Sequence, residues 1–227
     1  MPLPCPFLAT GVAEVDAALA IGGLPCGAIT EFVGENSTGK SWLALHAIAS
    51  AQQQGKACLL LDTEGAHHPS WLRRNGVNPD ALIIAQPDSL NAARAIIDEA
   101  LFNKLCDLLV IDSLHGLAPS MPHSPITLRP HSLTTSRPRT LTALYNFLPH
   151  LQTLAEGSGA ACLITNHLGE IDGVPTSFAN DLMRRHAAVR AVLSLESESL
   201  EGIDVRFQVK RNNLVPHLGE SIFHIAF

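Results

Sequence analysis

Gly34-Glu35-Asn36-Ser37-Thr38-Gly39-Lys40-Ser41 is the stretch that decides how this chain is read. The octapeptide fits G-x-x-x-x-G-K-[ST], the phosphate-binding P-loop. Ala28–Val33 before it is β-rich, and Trp42–Ala49 after it suits a helix. Strand, glycine loop and helix are the context the motif requires. The glycines let backbone wrap a phosphate, and a helix N-terminus adds aligned N–H donors and a positive dipole end. In such a cradle, formed by Gly34 through Ser41, Lys40 reaches the β- and γ-phosphates of a nucleotide. The Ser41 hydroxyl is placed to ligate Mg²⁺. A glycine-rich turn that binds nothing is the weaker reading, because both flanks are correct.

Two further strand ends agree with the loop. Leu108-Leu109-Val110-Ile111 is an apolar run closing on Asp112, the Walker B form. Buried parallel strands aim their C-terminal ends at a ligand crevice, so Asp112 is the expected Mg²⁺ carboxylate. Ala57–Asp62 is a second such run and leads into Thr63-Glu64-Gly65. A carboxylate at Glu64 can orient and polarise the water that attacks the γ-phosphate; a solvated turn acid is the alternative.

Working outward, β-rich and helical patterns alternate along the chain. Strands are expected at Ala57–Asp62, Ala81–Ala85, Leu105–Asp112 and Ala160–Thr165, and helices from the loop to about Gln54, at Pro69–Asn75 and from Ser89 to Leu101. Leu141, Leu144, Leu148, Leu151 and Leu154 recur at helical spacing, with Pro149 expected to kink or interrupt that helix. The Ala81–Ala85 strand reads as buried. Pro119–Arg139 and Leu168–Thr176 read as irregular loops. Ala188–Leu195, Ile203–Lys210 and Glu220–Ala226 read as an antiparallel end to the sheet. The fold class is therefore α/β: a mainly parallel sheet, helices on both faces, and an antiparallel C-terminal extension. Residues 1–9 form a short stub and 10–227 a single core.

Of the 227 residues, 46% are hydrophobic and 16% charged, a globular balance that excludes a disordered chain. A net charge of −6 gives no bulk attraction to nucleic acid, although local basic loops can work on an acidic body. The five cysteines include no C-x-x-C pair, and Cys58, Cys106 and Cys162 lie in apolar runs. Buried free thiols are expected, which fits a reducing cytoplasmic setting. No apolar run reaches about 18 residues, so no membrane span is expected.

At these residues the sequence resembles the ATPase core of the RecA recombinase family, from Thr10 to the C-terminus. The resemblance is carried by Thr10-Gly11 through Gly22–Glu31, by Glu64 through Gly76-Val77, by Gln86-Pro87-Asp88, by Ile111-Asp112-Ser113, and by Val209-Lys210 with Pro216. It implies a RecA-like fold and a DNA-dependent ATPase active in recombination or repair. Glu64 would be the catalytic carboxylate, and Trp71 would stack on adenine. Asn166 would sense the γ-phosphate, with His167 in place of the family's glutamine. Lys210 would reach a neighbour's ATP in a head-to-tail homo-oligomer, with Asn212 where the family has a second lysine. The regions near 119–139 and 168–176 fall where the family's DNA-binding loops lie. Arg129, Arg137, Arg139, Arg184 and Arg185 are the candidate phosphate contacts for single-stranded DNA, and each could equally be simple surface charge. Phe178 could stack on a base or lie in the core. The family's N-terminal polymerisation segment is expected to be absent or reduced to the stub, so filament formation does not carry over. The second function class is a non-catalytic accessory protein, such as a recombinase paralogue or an ImuA-type partner of a translesion polymerase, with ATP as a structural ligand or switch.

Overall fold

The glycine loop grows out of a fully buried strand near the middle of the sheet. A computed structural model describes residues 6–117, 139–171 and 174–227. Within them β3 (Ile29–Gly34) is buried along its whole length. It runs parallel to β7 (Ala161–Ile171) on one side and to β9 (Ala187–Glu198) on the other. Beyond β7 come β6 (Leu108–Asp112), β4 (Cys58–Asp62) and β5 (Leu82–Ala85), all parallel. Beyond β9 the sheet turns antiparallel through β10 (Gly202–Asn212) and β11 (Glu220–Ala226). A small ribbon of β1 (Phe7–Leu8) and β2 (Leu24–Pro25) sits apart from this sheet.

Alternation along the strands explains the two covered faces. Cys58 and Leu60 of β4 point into one cluster, formed with α1 (Ala13–Leu19) and α2 (Lys40–Gln53). Leu59 and Leu61 point into the other, with α4 (Leu90–Phe102), α5 (Arg139–Ser158) and α6 (Asn180–His186). Strands buried on both faces read as continuous apolar runs, as β4 and β6 do. Each fully buried Leu or Ile stabilises the fold by about 1.5–3 kcal/mol.

Three expectations are corrected. The Ala81–Ala85 strand forms as β5, but it is the sheet's edge, with Ile83 50% and Ile84 37% exposed. Leu168–Thr176 is not irregular: β7 continues to Ile171 and pairs antiparallel with β8 (Val174–Ser177), Leu168 facing Ser177. Ile171, Val174 and Thr176 are strand formers whose signal the polar composition of this stretch masked. Helix α5 continues through Pro149. An internal proline costs about 3 kcal/mol, but Leu144, Phe147, Leu148, Leu151 and Ala155 are buried on both sides of it and offset that loss.

Thiols at Cys58, Cys106 and Cys162 are free and buried. Burial pushes Cys58 up to about 12 and Cys106 up to about 11, so both stay protonated and inert. Among the described residues, no helix is long and apolar enough to cross a membrane.

Candidate active site

Register brings the candidate residues to one edge of the sheet. Asp62 faces Asp112 across β4 and β6, while Val33 faces Asn166 and Gly34 faces His167 across β3 and β7. The loop after β3 is shaped by sterics. A Cβ on Gly34 would lie 2.5 Å from the Leu193 carbonyl oxygen. Gly39, at φ +82°, caps α2, and a Cβ there would lie 2.5 Å from Ile225 Cδ1. Ser37 also takes a positive φ. Lys40 folds back over the loop, its Nζ donating to the carbonyls of Gly34 at 2.9 Å and Glu35 at 2.5 Å. The Thr38 hydroxyl donates to the Glu35 carbonyl at 2.9 Å. Burial draws the Lys40 ammonium down to about 8, opposed by the carboxylates of Asp112, Glu64 and Glu35.

Asp112 is buried and gripped from several sides. His67 Nε2 lies 2.8 Å from Oδ2, and the Thr165 hydroxyl donates to Oδ1. The Ser41 hydroxyl also hydrogen-bonds this carboxylate. Burial pushes the Asp112 carboxyl up, but these bonds outweigh it and hold the group below its ordinary range. Ser41 and Asp112 thus meet directly, hydroxyl to carboxylate. A hydroxyl and a carboxylate are hard oxygen donors of the kind Mg²⁺ takes, so the residues present fit that ion.

Glu64 is held differently. The Ser113 hydroxyl donates to Oε1 at 2.5 Å, and His167 Nε2 lies 3.1 Å from the same oxygen. Hydrogen bonding from His167, foremost, and from Ser113 lowers the Glu64 carboxyl to about 2 against the opposing effect of burial. Its side chain is 44% exposed, so the group is fixed yet open to solvent. Behind it, the Thr63 hydroxyl exchanges hydrogen bonds with the Ser113 backbone, and a Cβ on Gly116 would come within 2.2 Å of that hydroxyl. The Asp112–Ser113 peptide is cis.

Several sequence-predicted residues take other positions. Asn166 is buried, and its carboxamide donates to Glu31 and to the Phe178 carbonyl, each at 2.7 Å. The side chain expected to sense the γ-phosphate therefore faces inward, beside His167, which faces Glu64. Glu31 is also ion-paired with Arg190, whose guanidinium reaches Ser177 at 3.1 Å and Asn180 at 3.0 Å. Trp71, 38% exposed on α3 (Pro69–Arg74), is outside the hydrogen-bonded cluster. Lys210 is exposed on β10, level with the middle of β3 and two strands away, roughly 10 Å. Its Nζ donates to Gln208. Asn212 binds the Leu19 carbonyl and the Leu214 and Val215 N–H groups, a structural task. Arg184 and Arg185 are exposed in the last turn of α6. Arg139 begins α5, while Arg129 and Arg137 lie outside the described residues. Phe178 packs against the core, its ring edge-on to His115.

Reading the sequence missed His67, Thr165, His115 and the buried Glu31–Arg190 pair. His67 follows Glu64 by three residues and reaches Asp112 because Asp62 accepts the Ala66 and His67 backbone N–H groups at 3.1 and 3.2 Å. Burial pushes the His67 imidazole down, but Asp112 outweighs it, and the group titrates above its ordinary value.

A glycine loop between a central strand and a helix, opposite an acidic strand end in a mostly parallel sheet with an antiparallel margin, defines a RecA-like α/β core. Comparison with known proteins agrees. The model of the RecA N-terminal domain matches residues 4–124. The chain is 32% identical over 229 residues to a mitochondrial DNA repair protein recA homolog of Dictyostelium discoideum, covering 96% of this chain and 49% of that protein. It is 30% identical over 230 residues to Protein RecA of Chlorobaculum tepidum, covering 97% of this chain and 65% of that one. Over 112 residues, 49% of this chain and 31% of the relative, identity to Protein RecA of Azospirillum lipoferum is 47%. The chain belongs to the RecA family. It spans about half to two thirds of the length of the relatives it matches over nearly its whole extent.

Proposed function

We propose that this chain is a RecA-like ATPase that acts on DNA in recombination or repair, converting ATP and water to ADP and phosphate. One observation supports this most: Lys40, the Ser41–Asp112 pair and the restrained Glu64 gather at the same ends of the parallel strands β3, β6 and β4. When bound, Mg²⁺ neutralises charge on the phosphates, and Ser41 and Asp112 are the residues that would hold it. Residues Gly34 through Ser41 cradle the phosphates through backbone N–H groups, and Lys40 exchanges its loop carbonyls for phosphate oxygens. Glu64, with its carboxyl near 2, is a weak base; it orients and polarises water more than it takes a proton. Trp71 stacks on the base, and His167 links Glu64 to the β7–β8 hairpin. Asn166 holds that strand end in place through Glu31. Arg184 and Arg185, with Arg129, Arg137 and Arg139, are the proposed contacts to single-stranded DNA. Lys210 points to a head-to-tail copy or a RecA-like partner, because its register keeps it from its own loop.

The position of Asn212 favours a second reading. With that side chain committed to the Leu19 carbonyl, one in-trans cation is missing, as in an accessory protein that binds ATP without turnover. ATP hydrolysis with and without single-stranded DNA, over a range of protein concentrations and with Lys40→Ala as blank, separates the two. DNA stimulation that rises with concentration supports the ATPase; binding with negligible turnover supports the accessory protein.

A further inference from the structure

His67 lies behind Asp112, the carboxylate proposed to hold Mg²⁺. Its side chain is 2% exposed. Nε2 lies 2.8 Å from Asp112 Oδ2, while Nδ1 is buried with no hydrogen-bond partner among the described residues. An ionised carboxylate only accepts hydrogen bonds, so Nε2 carries the shared proton. In the neutral ring Nδ1 is then a bare acceptor in an enclosed space, which is an expensive arrangement. An apolar side chain would fill the same space without that penalty. The polar contact that the ring does make is with Asp112.

The backbone around His67 is set for this contact. Asp62 Oδ2 accepts the His67 N–H at 3.2 Å and the Gln86 side-chain amide at 2.9 Å, fixing the turn after Glu64. Thr165 holds the other oxygen of Asp112. The carboxylate is therefore held at both oxygens, and the Ser41 hydroxyl also hydrogen-bonds it. Groups in this position orient a ligand and tune its affinity for the metal.

We propose that His67 is a positioning residue for Asp112: its Nε2–H sets the orientation in which that carboxylate accepts the Mg²⁺ that accompanies a nucleotide. This rests on the nucleotide reading above. It concerns the metal dependence of binding, not the binding of phosphate by the loop itself.

The test is a Mg²⁺ titration of the binding of a fluorescent ATP analogue, with a parallel series in EDTA and a thermal midpoint for each variant. In His67→Leu the half-saturating Mg²⁺ concentration is expected to rise about 10–100-fold, with metal-free binding unchanged. His67→Gln restores an N–H near the Nε2 position and should return toward wild type. His67→Asn, whose amide reaches only the Nδ1 position, should not. An unchanged Mg²⁺ requirement in a folded His67→Leu overturns the inference, as does an equal rise in the Gln and Asn variants. If His67→Leu fails to fold, the Gln and Asn pair decides by the same criterion. Wild-type protein that binds the analogue neither with Mg²⁺ nor in EDTA overturns the nucleotide reading instead, and this inference with it.

Discussion

Charge is used in two ways on the same sheet. Among the parallel strands, Asp112, His67 and Glu31 are buried and Arg190 is nearly so, with His67 bonded to Asp112 and Arg190 paired with Glu31. On the antiparallel margin, Arg206 pairs with Glu196 and Glu220, and Asp204 pairs with His224, all in solvent. The two sets look alike as lists of ion pairs. They differ in what surrounds them. Exposed pairs are screened by water and hold two long side chains in place for little gain. Buried ones are costly to desolvate and costly to break. The set among the parallel strands is therefore where charge is held in a fixed arrangement, and the margin is a solvated surface.

The comparison is sharpest at Glu64. Glu64→Gln should lower ATP turnover by about 10²–10⁴-fold while equilibrium ATP binding stays close to wild type, because the amide keeps the shape and loses the charge. Stopped-assay phosphate release and a binding isotherm on the same preparation would show it. Equal losses in both would place Glu64 in binding instead.

Next in size is the buried pair. Arg190→Ala leaves Glu31 without its guanidinium, and chemical denaturation should register a loss of about 3–5 kcal/mol. The double variant Glu31→Gln with Arg190→Gln, which removes both charges, should recover part of it. By contrast, Arg206→Ala on the margin should cost about 0–1 kcal/mol in the same assay. Similar losses for the two arginines would break the distinction drawn here.

The smallest effect is in acid. Glu64 titrates at about 2 in the fold against an ordinary 4.5, chiefly through its hydrogen bond from His167. A lowered carboxyl contributes stability that is complete above 4.5 and lost as the pH falls toward 2. Denaturation midpoints followed across that window should fall more steeply in wild type than in Glu64→Gln. Parallel curves would mean the pair does not form in solution.

Much of this arrangement could be read from the chain. The glycine loop, the apolar run ending in Asp112 and the position of Glu64 are local patterns, and each lies where a parallel strand ends. Residues joined only by register were harder to see. Asp62 is brought opposite Asp112 by β4–β6 pairing, and that pairing carries His67 to its partner across 45 positions of sequence. Glu31 looked like an ordinary strand residue because its partner, Arg190, is 159 positions away. The role of Asn166 as a γ-phosphate sensor came from the family resemblance alone, and its bonds to Glu31 and the Phe178 carbonyl depend on neighbours distant in sequence. The β7–β8 pairing was missed because polar composition outweighed the strand formers Ile171, Val174 and Thr176. Helix α5 through Pro149 shows the reverse error: a strong local breaker lost to tertiary packing.

The most direct test of the central claim is equilibrium binding of ATP in the presence of Mg²⁺ to wild-type protein and to Lys40→Ala. The strand-end cluster predicts saturable binding in wild type and binding weaker by about 10–100-fold in the folded variant, the worth of a charged hydrogen bond to phosphate. Equal binding by the two proteins, or none by either, would contradict the assignment of this loop as a nucleotide site.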